Sequence, residues 1–249
     1  MALAIEIKDV SVRYHEKVVL KDATASVPVG SICGLVGMNG AGKSTLFKAV
    51  MNAVPLLKGS VRLNGMTVKA AQKKGVVAYV PQTEAVDWNF PVSVRDVVMM
   101  GRYGFMNIFR VPSKKDDAAV DRALERVHLT DYADRQVGQL SGGQRKRVFV
   151  ARALAQGASI LLLDEPFAGV DAKTEASLIE LLRELQTQKV TILIAAHDLA
   201  TIGSYCDHII LLKQTVVAAG PTKKVFTKEN ILVTYDSVFG EKGRVPWIS

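Results

Sequence analysis

At 249 residues and 27.0 kDa the chain can bury a large core, which excludes a disulfide-stapled miniprotein and leaves one domain, or two small ones sharing a core. Hydrophobic residues at 49% against 22% charged exclude intrinsic disorder. Lys and Arg number 32 and Asp and Glu 24, a formal charge of +8 that suits polyanions, lipid surfaces or phosphate-rich molecules, but no single-sign block concentrates it on one partner class.

The opening MALAIEIKDV carries Glu6 and Asp9 where an export signal needs a basic region and a continuous apolar core, so export is not expected. Residues 3–13 and 17–29 alternate apolar and polar side chains around Tyr14-His15-Glu16 and predict two antiparallel strands. GSICGLVG reads as a buried strand leading through a glycine-rich turn into the helical spacing of KSTLFKAVMN. Pro55 and Gly59 punctuate the chain before a strand-like pair, SVRLNG and VVAYV, with Asn64-Gly65 as a tight turn.

From residue 84 to about 157 the pattern turns helical, in SVRDVVMMGRY, KKDDAAVDRALERVHL and GQRKRVFVARALAQG, and predicts a helical insertion. Then come SILLLDEP, a helix at about 172–187, VTILIAAHD, another helix, and HIILLK with TVVAAG. Apolar strands alternating with helices predict a mostly parallel α/β sheet. Gly220-Pro221 marks a turn into a short helical tail. The most apolar runs are far shorter than the roughly 20 residues that span a bilayer, so a membrane connection would come through a partner. Cys33 and Cys206 lie in apolar surroundings and read as reduced core residues rather than a bridge or metal site.

Gly37-Met38-Asn39-Gly40-Ala41-Gly42-Lys43-Ser44-Thr45 matches G-x-x-x-x-G-K-[ST] between a predicted strand and helix. Glycines let the backbone curl so that N–H groups face phosphate oxygens, Lys43 reaches the β- and γ-phosphates, and the Ser44 hydroxyl suits Mg²⁺. At the end of the strand Ile160–Leu163, Asp164 and Glu165 place two carboxylates where open α/β sheets bind ligands. Asp164 is the candidate Mg²⁺ ligand and Glu165 the candidate general base.

Leu140-Ser141-Gly142-Gly143-Gln144, at the start of a basic helix, resembles the signature of ATP-binding-cassette ATPases. The resemblance extends over the chain and implies one ABC ATPase domain over 1–249. Its catalytic core with a β subdomain would span 1–83 and 158–249, and its helical signature subdomain 84–157. The fold implied is a P-loop, RecA-like parallel core with an N-terminal antiparallel sheet. By the same resemblance Tyr14 stacks on adenine and Gln82 contacts Mg²⁺ and the attacking water. Asp171, in Ala168-Gly169-Val170-Asp171, crosses to a second copy, although the family more often reads Ser-Ala-Leu-Asp there. His197 holds the γ-phosphate, and Ser141, Gly142, Gly143 and Gln144 bind the ATP of the partner copy.

Within the family, the stretch Pro81–Pro91 with VRDVVMMGRYG and DEPFAGVDAKTE looks like the branch that powers importers of manganese, iron or zinc, nearest the manganese/iron members. The implied assembly is a homodimer on transmembrane permease subunits, at the cytoplasmic face of the cell membrane, with an extracytoplasmic metal-binding protein as indirect partner. Trp88, Phe90, Met99, Met100, Tyr103, Phe105 and Met106 are denser than a small subdomain needs and offer a permease contact, with about half expected to pack the subdomain's own core. A nucleic-acid clamp would suit the basic charge, but such proteins usually carry a coiled-coil insertion or a second cassette, so no nucleic-acid partner is expected. A small-molecule kinase leaves LSGGQ unexplained.

Overall fold

The structure is a computed structural model that describes residues 2–82, 91–196 and 199–239. In chain order β1 (Leu3–Tyr14) and β2 (Lys17–Pro28) form a hairpin, β3 (Ile32–Val36) leads into α1 (Lys43–Val50), and β4 (Lys58–Leu63), β5 (Met66–Thr67), α2 (Val68–Lys73) and β6 (Val77–Val80) follow. A helical stretch holds α3 (Val94–Met99), a 3-10 turn at Met100–Phe105, α4 (Lys114–Arg126) and α5 (Gly142–Ala155). The rest is β7 (Ile160–Asp164), α6 (Ala172–Thr187), β8 (Thr191–Ala196), α7 (Leu199–Tyr205), β9 (His208–Lys213), β10 (Thr215–Pro221), α8 (Thr222–Val225) and α9 (Lys228–Phe239).

The described strands form two sheets, an antiparallel one in the order β2-β1-β4-β5 and a mostly parallel one in the order β10-β9-β3-β8-β7-β6. The parallel strands are apolar at almost every position because both faces are covered. Cys33, Leu35, Leu162 and Leu193 pack with α1 and the antiparallel sheet, while Ile32, Val36, Leu161, Leu163 and Ile192 pack with α5, α6 and the helical stretch. Each such fully buried Leu or Ile contributes about 1.5–3 kcal/mol relative to an exposed one.

One expected pairing is overturned. The Asn64-Gly65 turn forms with both residues at positive φ, 47° and 73°, but it joins β4 to the two-residue β5 and not to VVAYV. Thr67 then caps α2 by accepting from Ala70 N at 3.4 Å, and the helix carries the chain across to the other sheet. There VVAYV becomes β6, parallel to β7. Two apolar runs flanking an Asn-Gly turn resemble a hairpin in sequence, and the helix cap between them decides otherwise.

Helices α3, α4 and α5 each open on a capping box, Ser93 with Asp96, Ser113 with Asp116 and Ser141 with Gln144. Each satisfies N–H groups that the first helical turn would otherwise leave without partners. In the apolar cluster of this stretch Met99 is buried and Met106 packs against the core, whereas Met100, Tyr103 and Phe105 are exposed. Trp88 and Phe90 lie outside the described residues. Cys33 and Cys206 are buried free thiols whose pKa values burial pushes up. Among the described residues no helix is long and apolar enough to cross a membrane.

Candidate functional site

The loop between β3 and α1 curls because Gly40 and Gly42 hold φ of 83° and 104°, a region that L side chains rarely adopt. Gly42 is also crowded: a Cβ there would lie 2.7 Å from Leu20 Cδ2 of β2. The loop therefore sits under the antiparallel sheet, and Ala41 N–H closes its curl by donating to Met38 O at 3.0 Å. Lys43 is 7% exposed, and its ammonium donates to Gly37 O at 2.6 Å and Met38 O at 3.3 Å. Burial lowers its pKa, while Glu165 and Asp164 act in the opposite direction.

Met38, Asn39, Gly40, Gly42, Lys43, Ser44 and Thr45 line a cleft of about 430 Å³ together with Gln82, Glu165 and Val19. The sequence reading missed Val19, which a strand pattern marks as sheet and nothing more. Gly37 and Ala41 are not among the lining residues; Gly37 supplies the carbonyl that holds Lys43. Tyr14, at the β1–β2 hairpin, is 37% exposed and does not line the cleft.

β7 ends in two carboxylates, of which Glu165 lines the cleft and Asp164, the last residue of the strand, is not among the lining residues. Asp164 is 9% exposed, and Tyr79 OH, from the neighbouring strand β6, donates to its Oδ2 at 3.0 Å. Burial raises its pKa, Tyr79 opposes that, Glu165 adds to it and Lys43 opposes it. Glu165 takes a left-handed φ of 48°, uncommon outside glycine. Its N–H donates to Ala195 O at 3.0 Å, and Gln82 Nε2 donates to its Oε2 at 2.6 Å. Asp164, the Ser44 hydroxyl and the Gln82 side-chain oxygen are hard oxygen donors of the kind Mg²⁺ takes, so this donor set fits the ion.

Ser141 caps α5, and Gly143 and Gln144 line a second cleft, of about 530 Å³, with Asp171, Arg147 and Thr174 among its other residues. Asp171 caps α6, accepting from Thr174 N at 3.0 Å and Thr174 Oγ1 at 2.7 Å; these bonds lower its pKa. The two clefts share no lining residue. Gln82 and Glu165 thus meet beside Lys43, Asp171 stands with the signature residues in the other cleft, and His197 lies outside the described residues. Lys146 of α5 donates to Gln82 O at 3.5 Å, a long bond between the signature helix and the first cleft.

Residues 20–168 match the family model described as ABC transporter. The manganese transport system ATP-binding protein MntA of Synechocystis sp. is 55% identical over 94% of this chain and 90% of its own length. The chelated iron transport system membrane protein YfeB of Yersinia pestis is 52% identical over 93% of this chain and 79% of its own. A solved structure described as an inward-facing ABC transporter of metal-chelate type superposes with a TM-score of 0.82 at 27% identity, covering 94% of this chain and 89% of that one. The family match runs from β2 through the phosphate loop, the Asp164–Glu165 strand end and the signature helix, so the chain belongs to the ABC transporter family, as one of its ATP-hydrolysing subunits.

Proposed function

We propose that the chain works as a head-to-tail homodimer that hydrolyses Mg²⁺-ATP to power import of a divalent metal, manganese or iron first and zinc next. The observation that carries the catalytic part is the 2.6 Å bond from Gln82 to Glu165, at the edge of a cleft that also holds Lys43 and Ser44. Lys43 neutralises β/γ-phosphate charge, and the loop N–H groups and the start of α1 fix the phosphates. Glu165 accepts the proton of the attacking water, with Gln82 holding its carboxylate in position. Ser44, Gln82 and Asp164 would hold Mg²⁺, which supplies charge neutralisation on the phosphates.

The signature residues lie in a cleft with no residue in common with the phosphate-loop cleft. This supports a site completed by a second copy, whose Ser141 hydroxyl and α5 N-terminus face the γ-phosphate. Asp171 and His197 enter as residues of that shared site, and Tyr14 as the adenine platform. The relatives are named for manganese and chelated iron transport, which supports the cargo and permease partners. It also supports a peripheral position at the cytoplasmic face of the membrane, with an extracytoplasmic metal-binding protein feeding the permease.

The test is ATP-driven manganese uptake by vesicles holding the chain and its permease. Glu165→Gln should keep ATP affinity and lower turnover by roughly 10²–10⁴-fold, abolishing uptake. Near-normal hydrolysis would remove Glu165 from its role. Uptake of zinc in place of manganese or iron would overturn the cargo order, and ATPase stimulation by DNA would point to another class of ABC protein.

A further inference from the structure

Between the 3-10 turn and α4 the chain forms a loop whose tip is organised by Asn107. Its Oδ1 accepts from Phe109 N at 3.1 Å, and its carbonyl accepts from Arg110 N at 3.0 Å, with Arg110 at a positive φ of 51°. The turn therefore holds its apolar side chains outward: Ile108 is 91% exposed, Phe109 82% and Val111 63%. Single exposed apolar residues are ordinary, but three within four positions on one hydrogen-bonded tip form a contact surface.

Basic side chains flank that tip along the chain. Arg110 lies over the Tyr103 ring at 5.1 Å, and Lys114 and Lys115 are exposed. Residues 107–115 contain no acid. The next acid along the chain, Asp116, is 6% exposed and turned inward to Ser113 and Arg102, and the one after it, the half-exposed Asp117, faces Arg95 at 3.8 Å.

We infer that this loop inserts into an anionic lipid surface, Ile108 and Phe109 reaching the acyl boundary and Arg110, Lys114 and Lys115 meeting lipid phosphates. The shape favours lipid: a protruding tip with flanking cations needs an apolar layer below and negative charge beside it, which a headgroup layer provides. A protein partner would need a matching socket with acids placed around it. The inference does not use the nucleotide clefts, and either reading can fail without the other.

The test is cosedimentation of the purified chain with vesicles of equal parts phosphatidylglycerol and phosphatidylcholine, beside vesicles of phosphatidylcholine alone. Binding should favour the anionic vesicles and weaken with salt. Ile108→Ser with Phe109→Ser should cost at least about tenfold in vesicle affinity, and replacing Arg110, Lys114 and Lys115 by Gln on the order of a hundredfold. Nucleotide affinity should not move in either variant, and the thermal midpoint should shift only slightly in the basic-residue variant, through loss of the exposed Arg110–Tyr103 contact. Equal binding to both vesicle types, or variants that bind like the parent, would overturn the inference. So would a photo-cross-linker at position 108 that labels the permease polypeptide and not lipid in the assembled transporter.

Discussion

Gly143, in the first turn of α5, lies so close to Thr174 of α6 that a Cβ at Gly143 would overlap the Thr174 γ-methyl. The contact fixes two helix N-termini against each other, the one capped by Ser141 and the one capped by Asp171. Gly143→Ala should destabilise the chain by about 1–3 kcal/mol, the usual cost of overpacking. Thr174→Ser removes the methyl and keeps the hydroxyl that donates to Asp171, so the double variant should recover most of the loss. Denaturant melts of the four chains measure the coupling; additive effects would mean that the contact is not where the strain falls.

Tyr79 and Asp164 make a second coupled pair. The carboxylate is buried, and burial disfavours its charge. Asp164→Asn should therefore leave the nucleotide-free chain at least as stable as the parent at neutral pH while weakening Mg²⁺-ATP binding. Tyr79→Phe removes a donor from a buried acceptor and should cost about 1–3 kcal/mol. Thermal midpoints with and without nucleotide separate the two effects. A large loss of stability in Asp164→Asn would contradict this account.

Much of the candidate site was legible because its parts are local. The phosphate loop needs glycines at positive φ before a helix, and Gly40 and Gly42 stand there with the expected spacing. The Asp164–Glu165 strand end and the Ser141 cap are likewise written in a few consecutive residues. What was not legible depends on contacts distant in sequence. Val19 enters the cleft only because Gly42 tucks under β2, and Tyr79 meets Asp164 only because β6 pairs with β7 in parallel. The misread hairpin has the same cause, since a two-residue strand and a six-residue helix separate β4 from the run that resembled its partner.

Asp116 should shape the acid limb of stability. Hydrogen bonds from Ser113, then the bond and charge of Arg102, hold its carboxyl at about 2 against an ordinary 3.8. The unfolded chain thus takes up the proton at higher pH than the folded one. The stability Asp116 contributes is complete above its ordinary value and is lost as pH falls through about 2. Asp116→Asn should be less stable than the parent at neutral pH, with the gap closing below pH 4, within roughly a unit of the ordinary carboxylate value. A gap that stays constant across that range would show that the carboxylate charge is not what stabilises the start of α4.

The most direct measurement is ATPase activity in a mixture of two inactive chains, one carrying Lys43→Ala and the other Ser141→Arg. If each site joins the phosphate loop of one copy to the signature helix of another, a mixed dimer holds one site with both faces intact. Each variant alone should then be near background, and the mixture should regain activity in proportion to the mixed dimers formed. No recovery, with mixed dimers demonstrated in the same sample, would contradict the shared site.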